Sequence, residues 1–165
     1  MRTIKFKAKR ECKEQWVSGD YAHSLDGKLN ILGFVEEEGK IGFTGAHPID
    51  PTSVCQSTGI LDKNGKEIYE GDVLRSDEYP FSCLEDGKRD NYFAVVYYHE
   101  EYARFVTVTI KNPVSTVCGI SEGNHGDVSR DEMMDFEVVG NIHEEKWQQY
   151  GEYFKTEEEK EADND

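Results

Sequence analysis

Cysteine is scarce in this chain and poorly placed for chemistry. The four residues, Cys12, Cys55, Cys83 and Cys118, form no C-x-x-C pair, and none stands at zinc-ligand spacing from a histidine. A 165-residue chain with so few is not a disulfide scaffold, and free thiols in a reducing cytoplasm are expected. No stretch reaches the ~20 apolar residues of a membrane span. The N-terminal Met-Arg-Thr-Ile-Lys-Phe-Lys-Ala-Lys-Arg carries charge with no apolar run behind it, unlike a signal peptide. Basic residues are also short: 19 Lys and Arg face 34 Asp and Glu, a formal charge of −15, which opposes approach to a phosphate backbone.

Catalytic motifs are missing too. The histidines, His23, His47, His99, His125 and His143, include no helical i, i+4 pair, and there is no H-E-x-x-H, G-x-S-x-G or P-loop. Gly119-Ile120-Ser121-Glu122-Gly123 frames a serine between glycines but lacks the strand-to-helix setting of a nucleophile elbow. Asp72, Asp77 and Glu78 with a distant histidine match no EF-hand spacing, and scattered surface carboxylates are the simpler reading. The four cysteines converging on zinc is the other arrangement weighed, against small core residues or loop thiols. The expectation is a protein without catalytic residues, metal or cofactor.

What the chain does have is aromatic residues and turns. Nine Tyr and eight Phe favour strands over helices. Residues 3–8 alternate, with Ile4, Phe6 and Ala8 on one side and Lys5, Lys7 and Lys9 on the other, the period of a half-buried strand. Residues 2–13 hold six basic residues against Glu11 alone, read as a solvated strand face. Residues 10–28 read as loop. Residues 29–35 and 40–44 suggest a hairpin, and His47-Pro48-Ile49-Asp50-Pro51 a connector. Residues 53–56 suggest a brief strand. Residues 92–99 and 104–110 are the clearest strands and an antiparallel pair, with 114–120 a further candidate and 136–142 a closing strand. Residues 77–91 and 121–127 read as loops. Ser129-Arg130-Asp131-Glu132 fits a capping box opening one or two helical turns.

The densest turn signal lies at residues 58–74. Asn64-Gly65 stands between Ile60-Leu61 and Ile68-Tyr69 and predicts a type I′ hairpin with positive φ at both central residues. Glu70-Gly71-Asp72 marks a second turn, opening onto Val73-Leu74. Beyond residue 143, Trp147, Tyr150 and Phe154 share one face of a helix that Gly151 weakens. Residues 156–165 hold six acidic residues against Lys160, a composition that buries no core. The expected fold is mostly β, a small barrel (SH3-like) or sandwich-like set of antiparallel sheets, with a C-terminal helix. The organisation follows as a domain over 1–143, a helix over 144–155 packed on it, and an acidic tail over 156–165.

Four segments carry a resemblance to a known family. Ile4-Lys5-Phe6-Lys7-Ala8 resembles the opening strand of the YopX family, small proteins found mainly in bacteriophages and prophages. Asp50-Pro51-Thr52-Ser53-Val54-Cys55-Gln56-Ser57-Thr58-Gly59 is similar to the lead into its central hairpin. Residues 60–73 match its signature around D-K-N-G-K-x-I-Y-E-G-D. Glu137-Val138-Val139-Gly140-Asn141-Ile142-His143-Glu144 resembles its closing strand. After Glu144 the chain reads Glu-Lys-Trp where members often have Asn-Pro. The signature residues are Thr58, Gly59, Asp62, Asn64, Gly65, Ile68, Tyr69, Gly71, Asp72, Gly140 and Asn141. The resemblance implies a phage-derived gene, a β-rich fold with barrel-like elements and a homo-oligomer. It brings no catalytic residues.

The functional expectation is a cytoplasmic phage or prophage accessory protein that binds or assembles. Trp147, Tyr150 and Phe154 are candidates for an oligomer contact, with packing on their own sheet as the alternative. A phage or host protein is a further partner class, a basic host factor engaging the acidic surface being one form of it. The competing reading is a nucleic-acid-associated protein in phage replication or gene control, with Tyr92, Phe93, Tyr97, Tyr98 and Tyr102 offering stacking surfaces.

Overall fold

The computed structural model describes residues 4–37, 40–77, 91–111 and 125–154. It is mostly β. Among the described residues the strands form two antiparallel sheets, and neither closes into a barrel. The chain divides into two compact units, residues 1–59 and residues 60–165.

In the first unit, β1 (Phe6–Arg10), β2 (Lys13–His23), β3 (Leu29–Glu37), β4 (Lys40–Pro48) and the start of β5 (Cys55–Leu61) lie in the order β4-β3-β2-β1-β5. The early hairpin is β3 with β4. The loop expected over residues 10–28 is instead occupied mostly by β2. Its alternation is hidden because Gly19 falls on the apolar face between Val17 and Tyr21. A Cβ at Gly19 would overlap the Leu32 carbonyl, so glycine is what lets β2 lie this close to β3. Ala8, Ile31 and Ile49 form the buried centre, with Phe6, Val17, Tyr21, Leu29 and Val54 packed around them. Past β4 the chain returns to β1. Arg10 bridges Ile49, Asp50 N donates to Lys9 O at 2.9 Å, and Glu11 N donates to Pro48 O at 3.1 Å. A 3-10 turn, Pro51–Ser53, follows; Asp50 Oδ1 accepts from Thr52 N at 2.9 Å and Ser53 Oγ accepts from Lys9 N at 2.8 Å.

In the second unit, β5 ends and turns into β6 (Glu67–Tyr69). The unit's own sheet runs β10-β9-β8-β7-β11, from β7 (Asp72–Ser76), β8 (Tyr92–His99), β9 (Arg104–Lys111), β10 (His125–Asp127) and β11 (Glu137–Asn141). Both of its faces are covered. Leu74, Ala94 and Val96 meet Ile68, Tyr92, Met133 and Phe136 on one side, while Val73, Val95 and Ile110 meet Ile142 and Trp147 on the other. The Tyr92 and Thr109 hydroxyls bond at 2.6 Å inside the sheet. Ser129 is the N-cap: its Oγ accepts from Glu132 N at 3.3 Å and starts the single turn α1 (Arg130–Met133).

The C-terminal helix is a 3-10 segment, Glu145–Phe154, rather than an α-helix. Trp147 and Tyr150 stand three residues apart, which suits three residues per turn. Residues 121–124 of the second expected loop lie outside the described residues, and 125–127 form β10. The expected strand at 114–120, Cys83, Cys118, the Gly119–Gly123 frame, Glu78, the loop 78–90 and the tail 156–165 also lie outside the described residues. Cys12 is exposed; Cys55 is buried, and its thiol donates to Ser53 O at 3.4 Å.

Candidate functional site

The signature residues gather around two buried carboxylates. Asp62, at the end of β5, accepts through Oδ1 from Asn64 N at 2.8 Å and Lys66 N at 2.9 Å, and through Oδ2 from Val138 N at 3.0 Å. Lys63 N donates to Phe136 O at 2.8 Å beside it. One side chain thus organises the hairpin turn and fastens it to a segment more than seventy positions away. This also corrects the turn type. Gly65 has φ +79 but Asn64 keeps negative φ, and Gly65 N donates to Asp62 O at 2.9 Å. The turn is therefore a type I turn closed by a left-handed glycine, not type I′, because the Asp62 carboxylate gathers the Asn64 and Lys66 amides.

The second carboxylate, Asp72, is fully buried. It accepts from Tyr69 N at 2.9 Å and from Asn141 Nδ2 at 3.0 Å. Asn141 is 1% exposed; its Nδ2 also donates to Glu70 O at 3.3 Å, and its Oδ1 accepts from His143 N at 3.1 Å. Gly71 lies against this pair with φ +73. A Cβ there would come within 3.1 Å of Ile142 and 3.2 Å of Asn141 Nδ2. Gly140 faces the Trp147 indole, and a Cβ at this position would stand 2.6 Å from Trp147 Cδ1. Ile68 is fully buried, Thr58 nearly so, and Gly59 takes φ +74 where the chain leaves the first unit. A buried carboxylate held by amides is a structural fixture. Neither Asp62 nor Asp72 presents a free acid to a substrate.

Tyr69 completes the signature. Its hydroxyl donates to Glu67 Oε2 at 2.9 Å. Burial, helped by that bond and by the charges of Glu67 and Asp72, pushes the phenol well above its ordinary value of 10.0. The folded chain favours the neutral phenol, so this contribution to stability is complete below the ordinary value and fades as the pH climbs beyond it. Denaturant unfolding at about pH 8 and about pH 11 should therefore show a smaller alkaline loss in Tyr69→Phe than in the wild type. Equal losses would exclude the effect.

A second cluster lies at one end of β8, β9 and β10. Tyr97 Oη reaches the two His125 ring nitrogens at 3.1 and 3.2 Å. His99 stacks on Tyr102 with centroids 4.3 Å apart and stands 5.6 Å from His125. The Arg104 guanidinium lies 5.5 Å from the Tyr102 centroid and pairs with Asp127 at 2.9 Å. His99 Nδ1 is shielded from solvent and has no hydrogen-bond partner among the described residues. Burial, and secondarily Tyr102, raises the Tyr97 hydroxyl above its ordinary range. Sequence reasoning missed this cluster because His125 sits in a stretch that reads as loop. No group of three or more His, Cys, Asp or Glu side chains fit to hold a metal ion occurs among the described residues. The cluster fixes β10 and the β8–β9 turn, where Ala103 takes φ +49. Ala103→Gly should stabilise the chain by roughly 0.5–1 kcal/mol by relieving that strain, as read from denaturant midpoints. A drop in stability would show the strain to be negligible.

The tyrosines proposed for stacking do not share a face. Tyr92 is buried, and Phe93 packs 5.7 Å from Trp147. Tyr97 and Tyr102 join the imidazoles, and Tyr98 faces Phe105 at 5.3 Å. Trp147 is 8% exposed and committed to its own sheet, with Tyr150 6.1 Å from it. Phe154 ends the segment, and its side chain lies outside the described residues. Asp77 pairs with Lys63 at 3.8 Å. His23 packs against Tyr21 at 5.5 Å.

This architecture defines a mostly-β protein of two antiparallel sheets whose glycine turns are tied to buried carboxylates. Comparison with family models matches the YopX protein family over residues 5–146, and the chain belongs to that family. Among solved structures it is similar to the crystal structure of protein EF1440 from Enterococcus faecalis. That match has 20% identity and a TM-score of 0.48, and covers 88% of this chain and 98% of the other. No curated protein matches it. No described helix is long and apolar enough to cross a membrane.

Proposed function

We propose that this chain is a binding or assembly module without catalytic activity, a phage or prophage accessory protein working in the cytoplasm of its bacterial host. The observation that supports this reading is the use made of the family signature. Asp62, Gly65, Gly71, Asp72, Gly140 and Asn141 hold backbone amides, turns and an indole in place. Signature residues used in this way for a stable scaffold fit a protein whose task is to present a surface. Self-assembly is the form of binding we favour. Sedimentation velocity of the full chain at micromolar concentration and about 0.15 M salt should show an oligomer. A single monomer species at every concentration removes the assembly reading.

A second reading, association with nucleic acid, rests on β1. Lys7 and Lys9 share a side of β1 with Trp16 of β2, and the Lys7 ammonium lies 4.9 Å from the Trp16 ring centre. Filter retention of single-stranded DNA at low salt that falls steeply as salt rises would favour it. No retention at low salt would exclude it.

A further inference from the structure

We propose that β4 is the edge through which two copies of this chain join, strand against strand; this rests on the assembly reading above and assigns its surface. β4 pairs with β3 along one side only, and among the described residues no strand lies along the other. A sheet edge presents unpaired backbone N–H and C=O groups, which another strand satisfies. Natural proteins guard such edges with lysine, inward charges or proline. From Ile41 to His47 this one reads Ile-Gly-Phe-Thr-Gly-Ala-His, with no Lys, Arg, Asp, Glu or Pro. Lys40 and Pro48 guard the two ends of the strand, and between them a bulge at Thr44 divides the edge into a segment on either side of it.

The side chains support the same assignment. Phe43 of β4 is 61% exposed and Phe34 of β3 is 49% exposed. The two are cross-strand partners with ring centroids 5.6 Å apart, an aromatic pair standing in solvent on the outermost two strands. Leaving two large rings in water beside an open ladder has no benefit for the isolated unit. A strand laid along β4 would cover part of both rings while pairing the backbone.

Charge selects the occupant. The first unit, residues 1–59, holds eight Lys and Arg against eight Asp and Glu, so the whole formal charge of −15 falls on residues 60–165. Contact between two copies through the second unit sets like charge against like charge. The other sheet ends among the described residues belong to that acidic unit and are shorter: β6 and β10 are three residues long and β11 is five. β4 is nine residues long and lies in the neutral unit. Antiparallel pairing of a strand with its own copy is two-fold symmetric and closes on itself, giving a dimer rather than a fibre.

The test uses the full chain and three exposed positions. Wild type, Phe43→Lys and Phe34→Glu are compared by sedimentation velocity over a concentration series, with Tyr98→Lys as a control charge change in the second unit. Circular dichroism and a melt confirm that each variant is folded. The expected result is a dimer for wild type and Tyr98→Lys, with dimerisation weakened about 100-fold or more in Phe43→Lys and Phe34→Glu. A wild-type oligomer indifferent to both aromatic changes overturns the β4 interface but leaves the assembly reading standing. A monomeric wild type overturns both.

Discussion

Gly140→Ala is expected to lower the melting temperature by about 10 °C, the effect of a loss of roughly 3–4 kcal/mol. The added methyl carbon would stand 2.6 Å from Trp147 Cδ1 and 2.9 Å from Glu144 Oε2. The indole has little room to retreat. Trp147 packs on Val73, Val95, Ile110 and Ile142, and its backbone amide donates to Glu144 O at 2.8 Å, which holds the main chain beneath the ring. Either β11 moves away from β7 or the indole leaves its seat, and expelling a buried aromatic ring is among the costliest core changes. Trp147 fluorescence should shift to the red in the variant. A double-mutant cycle isolates the cause: in a Trp147→Leu background the alanine should cost much less. An equal cost in both backgrounds would place the strain in the backbone of β11.

Asp72→Ala should be comparably severe, at about 3 kcal/mol or more. The carboxylate is fully buried, so its loss leaves the Tyr69 amide and Asn141 Nδ2 without this partner where water does not replace it. Unsatisfied buried donors cost about 1–3 kcal/mol each, and the vacated volume adds to that. Asn141 binds the same region to Glu70 O, and Ile142 N donates to Gly71 O at 2.9 Å, so the β7–β11 junction should loosen as a unit. Hydrogen exchange at the Tyr69 and Ile142 amides measures this directly. Unchanged protection at both would mean the carboxylate is not what holds the junction. Asp72→Asn keeps the size and can still accept from the Tyr69 amide, so it should recover part of the loss.

These two expectations turn on contacts that no local pattern announces. Three local features were readable. The Val-, Tyr-, Phe- and Thr-rich runs at 92–99 and 104–110 give β8 and β9, Ser129 marks the start of α1, and Gly65 and Gly71 mark the turns. Each depends on neighbours a few positions away, where sterics and capping act. The sequence reading failed where one residue served a distant neighbour. Residues 10–28 read as loop, but Gly19 within them is the close approach of β2 to β3. Asn64-Gly65 reads as type I′, but Asp62 draws the turn into another form while its second oxygen holds Val138 N.

The amino-acid sequence by itself determined that this is a mostly-β, strongly acidic chain of the YopX family with glycine-marked turns, since composition, periodicity and short motifs act locally. Only the tertiary structure decided that the signature acids are anchors, that Trp147 seats over Gly140, and that Phe34 and Phe43 are left outside beside an open strand edge. The physical reason is sequence separation. A buried carboxylate meets its donor, and a glycine its indole, only after the intervening chain has folded.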